Sequence, residues 1–388
     1  METLFTWWTI SSLILAAGYV AIIAIYTFGW KRLPVWEPPA AYLPSVKCTV
    51  IIPARNEAPN LPECLASIAG QSYPASLTQV IVVDDHSEDE TLDIARKFAD
   101  RYPHFEVLEL KAHLPEGKKV NSFKKEAIDL GVRAADGELI VTTDADCVLP
   151  PDWLMLMCSF YEVKKPVFIA APVGFHREQS LFERFQSLDF FGMMCGTAAG
   201  IRLGIKNMAN GANLAYSKAA YQAVNGFRGI DHLATGDDIL LMQKIAASNP
   251  GKTAFLKNEK ATARTLAKPT VREFISQRVR WASKSTDYKE WLVTFILGWV
   301  FFYCVFILTT PILFLFVGTK ALVLFVFLLS VKTVTDYFYL GMMAKFFRRE
   351  ELMMSYFPAQ LIHILYIVTV GVLGNLVKRY DWKGRTVR

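Results

Sequence analysis

From Phe5 to Trp30 the chain carries no charged residue, and nothing else in it narrows the fold as sharply. These 26 positions exceed the ~20 helical residues needed to cross a hydrocarbon core of roughly 30 Å. Lys31, Arg32 and Pro34 follow the run instead of a small-residue cleavage site, so it reads as a retained anchor and not a signal peptide. Glu2 precedes it. The basic flank behind it puts the N-terminus outside and residue 31 onward in the cytoplasm, with a bacterial inner membrane as the expected setting.

Leu292 to Thr319 is again free of charge. Ala321 to Val331 is apolar and continues less cleanly through Lys332 and Asp336 to Phe347, and Leu352 to Val377 is interrupted only by His363. The 53% hydrophobic content fits such spans. Three passes after the central domain would leave the basic tail KRYDWKGRTVR outside, against the positive-inside rule. Two passes within 291–331, turning near Thr310 and Pro311, or one re-entrant run, keep the tail in the cytoplasm, and that arrangement is favoured. The organisation expected is an anchor over 1–31, a cytoplasmic domain over 45–285 ending in an interfacial helix, transmembrane helices over 290–377 and a tail over 378–388.

Cys48, Cys64, Cys147, Cys158, Cys195 and Cys304 form no CxxC pair, which argues against a zinc site or disulfide framework and for reduced thiols. The net charge of +6 is modest. Beside apolar spans it suits anionic lipid and gives no reason to expect nucleic acid as a partner.

In the central domain, apolar strands alternate with helices. Strands are expected at 47–53, 79–84, 105–110, 138–143 and 167–172, and helices at 56–68 (capped by Asn56), 88–101, 121–135, 180–200, 237–247 and 271–285. Such alternation implies a parallel sheet covered on both faces. Ligands bind beyond the carboxyl ends of such strands, and here those ends are polar: Arg55, Asn56 and Glu57, then Asp84, Asp85 and His86, then Asp144 and Asp146. Paired carboxylates after a strand can converge on a hard cation, Mg²⁺ or Mn²⁺, that takes its remaining ligands from phosphates. Asp-x-Asp also occurs in ordinary surface turns, so its company decides. No GxGxxG or P-loop is present, so metal and basic side chains would have to neutralise a diphosphate.

Gly236-Asp237-Asp238 opens a helix, where the acids can serve as N-cap and first-turn charges and one of them can also act as a base. Gln277, Arg280 and Trp281, at i, i+3 and i+4, share one helical face. The competing reading is an amphipathic helix with Arg and Trp at a membrane interface. Arg278 reads as a solvated or lipid-facing charge, His363 as a packed neutral histidine, and Cys147 as core.

Five ordered motifs, TVIIPARNE, VVDDHSEDET, TTDADC, GDDILL and QRVRW, resemble the membrane-bound family 2 glycosyltransferases of the GT-A fold over about 240 residues. The resemblance implies an α/β GT-A domain plus transmembrane helices, and inverting transfer from a nucleotide diphosphate sugar, usually with UDP, dependent on Mg²⁺ or Mn²⁺. Carried over by motif, Pro53, Arg55, Glu57, Asp84, Asp85, Lys124 and Asp144 would bind the donor nucleotide. Asp146, with Asp144, would hold the metal, and Asp238 would be the catalytic base. Asp237, Gln277, Arg280 and Trp281 would face acceptor or diphosphate. Lys124 lies in FKKEAI, where Phe123 replaces the glycine usual in the family, and Asp237 stands where Glu is typical.

The favoured reading is transfer of one sugar, from a UDP-hexose or UDP-N-acetylhexosamine, to a membrane lipid. A processive β-polysaccharide synthase with a glycan acceptor and a partner subunit is the alternative. A polyprenyl-phosphate sugar synthase would generally lack QxxRW, and an inactive membrane scaffold would have no need of all the carboxylates.

Overall fold

The structure is a computed structural model that describes residues 2–114, 120–205, 208–233, 236–282, 291–376, 380–382 and 385–387. Contacts divide the chain into two units. An α/β unit comprises Leu33–His176, Met208–Leu266 and Asp381–Arg388, and a helical unit comprises Met1–Arg32, Arg177–Asn207 and Ala267–Tyr380.

In the α/β unit, Cys48–Ala54 (β1), Thr78–Asp84 (β2), Phe105–Glu109 (β3) and Leu139–Thr142 (β4) pair in parallel in the order β3-β2-β1-β4. Val50, Ile51, Ile52, Val80, Ile81, Ile140 and Val141 are fully buried, as continuous apolar strands in a sheet covered on both faces require. Parallel pairing brings the carboxyl ends of β1, β2 and β4 to one edge, with Ala54 opposite Asp84 and Ile51 opposite Thr142.

Beyond β4 the sheet departs from the parallel expectation. Phe168–Ala170 (β5) does not pair with β4, and Val173–His176 (β6) leaves the main sheet. Leu214–Ser217 (β7) runs antiparallel between β4 and β5, Thr253–Phe255 (β8) lies parallel to β5, and Ala263–Leu266 (β9) joins β6 in a second sheet. All four residues of β7 are buried, and four residues are too few to display a period.

Helix starts also shift. The first helix of this unit spans Leu61–Ala69, so Asn56 is not its cap. Asn56 adopts φ 49° and binds the turn after β2 instead, donating from its backbone to Ser87 Oγ at 3.1 Å and accepting at Oδ1 from Glu88 N at 2.8 Å. Pro59 lies between the expected and observed starts and Pro62 falls in the first turn of the observed helix, and proline is tolerated only in a helix's first turn.

Among the described residues, four helices are long and apolar enough to cross a membrane: Glu2–Lys31, Trp291–Val317, Thr319–Phe346 and Glu350–Gly374. Three of them follow the central domain. The chain does not make two passes within 291–331 with a turn near Thr310 and Pro311. Those residues form a short 3-10 turn, the break falls at Gly318 with φ 59°, and the next helix runs unbroken to Phe346. Its Lys332 and Asp336 are buried as an i, i+4 ion pair at 2.5 Å, which reconciles two charges with an apolar helix. Tyr19, Tyr303, Cys304, Leu324, Leu328 and Ile364 share the core of this unit. The helix Leu181–Leu203, expected within the 45–285 domain, groups by contact with the apolar helices. Its buried Phe190, Phe191, Met194 and Cys195 account for that grouping.

The helix Val271–Ala282 carries QRVRW; residues 283–285 of its expected extent lie outside the described residues. In the tail, Tyr380–Trp382 and Arg385–Val387 pair as a short ribbon, and residues 378–379, 383–384 and 388 lie outside the description. All six cysteines are free and buried.

Candidate active site

Three strand ends build one wall of the site. After β1, Arg55 donates from Nη1 to the Asp85 carbonyl at 3.2 Å, and Asp85 N donates to the Ala54 carbonyl at 2.7 Å. Glu57 N donates to Thr91 Oγ1 at 2.8 Å, and Asn60 Nδ2 donates to Glu57 Oε2 at 2.9 Å. After β2, Asp84 accepts at Oδ2 from Ser87 N at 3.2 Å, while its Oδ1 is buried without a hydrogen-bond partner among the described residues. A buried carboxylate oxygen left over in this way is suited to accept from a ligand donor. His86, at φ 53°, packs edge-on against Phe123 and hydrogen-bonds Asp85 Oδ1 at 3.0 Å. Pro53 lies within β1 opposite Val83.

Phe123 and Lys124 begin the helix Phe123–Ala134. Lys124 Nζ donates to Asp144 Oδ1 at 2.7 Å and lies 3.3 Å from Asp237 Oδ2. Burial works against its charge, but Asp144 and Asp237 outweigh it and hold the ammonium protonated well above the ordinary lysine range. One lysine thus joins the DxD turn to Gly236-Asp237-Asp238. Burial and then the charges of Asp146 and Asp144 push the Cys64 and Cys147 thiols up, so both cysteines are inert core. That matches the expectation for Cys147.

Asn210-Gly211-Ala212-Asn213 also lines the site, beside Lys124 and Asp237, and sequence reasoning missed it. Thr142 and Thr143 at the end of β4 donate to the carbonyls of Gly211 and Ala212 at 3.4 and 2.9 Å. Asn213 is fully buried, donates to the Pro172 and Ala261 carbonyls, and accepts from Trp153 Nε1 at 2.8 Å. A Cβ on Gly211 would stand 3.1 Å from Asp237 Oδ2 and 3.2 Å from Lys124 Nζ. The signal available was an Asn-Gly turn before a short apolar strand.

Asp238 is the N-cap of the helix Ile239–Ser248. It accepts from Ile239 N at 2.7 Å and, through Oδ2, from Gly211 N at 3.4 Å. The capping reading therefore holds, and it leaves the same carboxylate at the wall of the site. Lys125, beside Lys124, is 2% exposed and donates to the carbonyls of Ile230 and Leu233 at 2.6 and 2.8 Å. It anchors the chain a few residues before Gly236.

Gln277, Arg280 and Trp281 belong to the helical unit. The expectation for Arg278 is corrected: it is neither solvated nor lipid-facing. It is 2% exposed and donates to Asp189 Oδ2 at 2.8 Å. Both side chains are buried, so each charge needs the other. His363 packs between Lys332, with Nδ1 3.4 Å from its ammonium, and Asp189, with Nε2 3.7 Å from its carboxylate.

Among the described residues, no three His, Cys, Asp or Glu side chains converge as a metal site made by protein alone. Asp144 and Asp146 nevertheless suit a hard divalent cation, which can take its other ligands from diphosphate and water. The ammonium held between Asp144 and Asp237 demonstrates that this wall stabilises positive charge.

The family model described as Glycosyl transferase family 2 matches residues 49–222, and Glycosyl transferase family group 2 matches residues 139–348, more than half of the chain. Glycosyltransferase AglE of Haloferax volcanii is 36% identical over 106 residues, 27% of this chain and 32% of that protein. An N-acetylglucosaminyltransferase of Bradyrhizobium sp. is 35% identical over 149 residues, 37% of this chain and 90% of that protein. The chain thus spans about a third of AglE. Among solved structures, the mannosyltransferase PcManGT of Pyrobaculum calidifontis, in complex with GDP-Man and Mn2+, superposes with a TM-score of 0.54 at 18% identity, covering 91% of this chain and 99% of that one. That likeness carries the fold. With a GT-A-like α/β unit and, among the described residues, four helices long and apolar enough to cross a membrane, the chain belongs to the family 2 glycosyltransferases.

Proposed function

We propose that the protein transfers one sugar, with inversion, from a nucleotide diphosphate sugar to a membrane lipid. The observation that carries this reading is the bridge from Lys124 to Asp144 and Asp237, because it draws the diphosphate-side carboxylates and the base-side acids into one constellation. A UDP-N-acetylhexosamine is the donor the relatives favour, since the Bradyrhizobium N-acetylglucosaminyltransferase aligns over 90% of its length.

On this reading Pro53, Arg55, Glu57, Asp84 and Asp85 receive the nucleotide, with Asp84 Oδ1 accepting from the base. Asp144 and Asp146 would hold Mg²⁺ or Mn²⁺, which when bound offsets diphosphate charge. Lys124 supplies the second cation. The acceptor hydroxyl attacks the anomeric carbon from the face opposite the diphosphate. As its C–O bond forms, the bond to the diphosphate oxygen breaks, and Asp238 takes the hydroxyl proton. Asp237 then orients Lys124 and the acceptor, while Gln277, Arg280 and Trp281 serve acceptor and diphosphate by virtue of their motif. The catalytic domain is assigned to the cytoplasm, where nucleotide sugars are made.

The four candidate spans among the described residues make a thin conduit for an extruded polymer, which favours a lipid acceptor. Mass spectrometry of membranes with and without the enzyme, supplied with labelled UDP-N-acetylglucosamine, should reveal a lipid heavier by one sugar; a long polysaccharide would overturn the lipid assignment. Calorimetry on purified Asp146→Ala should lose the metal dependence of UDP binding, and unchanged metal-dependent affinity would refute the metal assignment.

A further inference from the structure

Arg278 is the charged residue of QRVRW that the transfer reading leaves without a role. It sits between Gln277 and Arg280, yet it is buried to 2% exposure and pairs with Asp189, whose side chain is 5% exposed. Its guanidinium carbon lies 4.3 Å from the centre of the Trp281 ring and 4.9 Å from that of Phe274. Phe190, next to Asp189 on the helix Leu181–Leu203, approaches the same indole with ring centres 6.3 Å apart. Arg278 and Trp281, three apart, share a helical face.

We infer that Arg278, locked by Asp189, is a positioning residue that sets the orientation of the Trp281 indole. An indole on a 12-residue helix has several rotamers open to it. A planar cation fixed at one edge by a carboxylate offers a flat surface that selects one of them. Guanidinium suits this task because it can hydrogen-bond in its plane and stack on its face together. A lysine in its place would keep the charge and lose the plane. Behind Asp189, His363, Lys332, Asp336, Tyr19 and Gln360 form a continuous chain of contacts. This inference deepens the transfer reading, on which Trp281 meets the acceptor.

The test uses the full chain in nanodiscs, labelled with 5-fluorotryptophan and followed by ¹⁹F NMR, with Trp281→Phe identifying the Trp281 resonance. Arg278→Lys should move that resonance and leave the others in place. It should also lower turnover of UDP-N-acetylglucosamine in native membranes about thirtyfold, the scale of a desolvated cation–π contact, with donor affinity unchanged. Breaking a buried pair can unfold a protein, so a double variant, Asp189→Leu with Arg278→Met, removes both charges while keeping the volume apolar. Its Trp281 resonance should be displaced as well. A resonance unmoved in both variants overturns the positioning role whatever happens to turnover. If the resonance moves but Trp281→Phe leaves turnover intact, the positioning stands and the acceptor role of Trp281 fails.

Discussion

Lys124 donates to Asp144 at 2.7 Å across twenty positions of sequence. The lysine opens a helix and the aspartate follows a strand, so their meeting depends on the helix Phe123–Ala134 beginning at the edge of the sheet where β4 ends. Because the same ammonium reaches Asp237, negative charge from two distant motifs is held together before any ligand arrives. On the transfer reading, donor phosphates compete with Asp144 for this lysine and free the carboxylate for a metal.

Asp238→Asn separates chemistry from folding. Asparagine caps a helix as well as aspartate does, so the bond to Ile239 N and thermal stability should persist. The amide cannot take a proton, and turnover should fall by roughly 10²–10⁴-fold. Equal turnover in the purified variant would remove Asp238 from the role of base.

Gly211→Val should cost activity without unfolding the sheet. Its Cβ would press on Asp237 Oδ2 at 3.1 Å and on Lys124 Nζ at 3.2 Å, displacing the bridge between them. Misplacement of about 1 Å at a reacting centre costs on the order of 10²-fold. Steady-state rates with circular dichroism as a folding control check this, and Gly211→Ala should be milder.

Lys125→Met tests the anchor ahead of Asp237. The substitution keeps the buried stem and strands the carbonyls of Ile230 and Leu233. Loss of these charge-assisted bonds should destabilise the α/β unit by about 2–3 kcal/mol, read as a lower denaturation midpoint. A midpoint equal to wild type would mean that water replaces the ammonium.

Acid should loosen the helical unit through Glu178. Burial alone would raise this carboxyl, but hydrogen bonds from Arg349 (2.8 Å) and Ser187, with the guanidinium charge, hold it below the usual range. A carboxyl lowered by folding adds stability above its unfolded pKa, near 4.3, and loses it as pH falls through the lower folded value. Melting temperature should therefore decline below about pH 4.3, and Glu178→Gln should flatten that decline while lowering stability at neutral pH. An equally steep acid limb in the variant would assign the loss to other carboxyls.

Much of this was legible from residue order alone. Apolar runs of spanning length, strands that end in acids and the spacing of Gln277, Arg280 and Trp281 are local patterns, and hydrophobic burial acts on them locally. What lies between distant segments was not legible. A four-residue strand such as β7 has no period of its own, and its antiparallel place between β4 and β5 is set by the partners it finds. Gly211 matters because Lys124 and Asp237 come to it from elsewhere in the chain. Arg278 looked like a surface charge until Asp189, 89 positions away, was found buried against it. Sequence by itself determined the helices, most of the strands and the chemistry available at their ends. Only the tertiary structure decided which charges meet, because the energy of a buried ion pair depends on a partner and a dielectric that no local window contains.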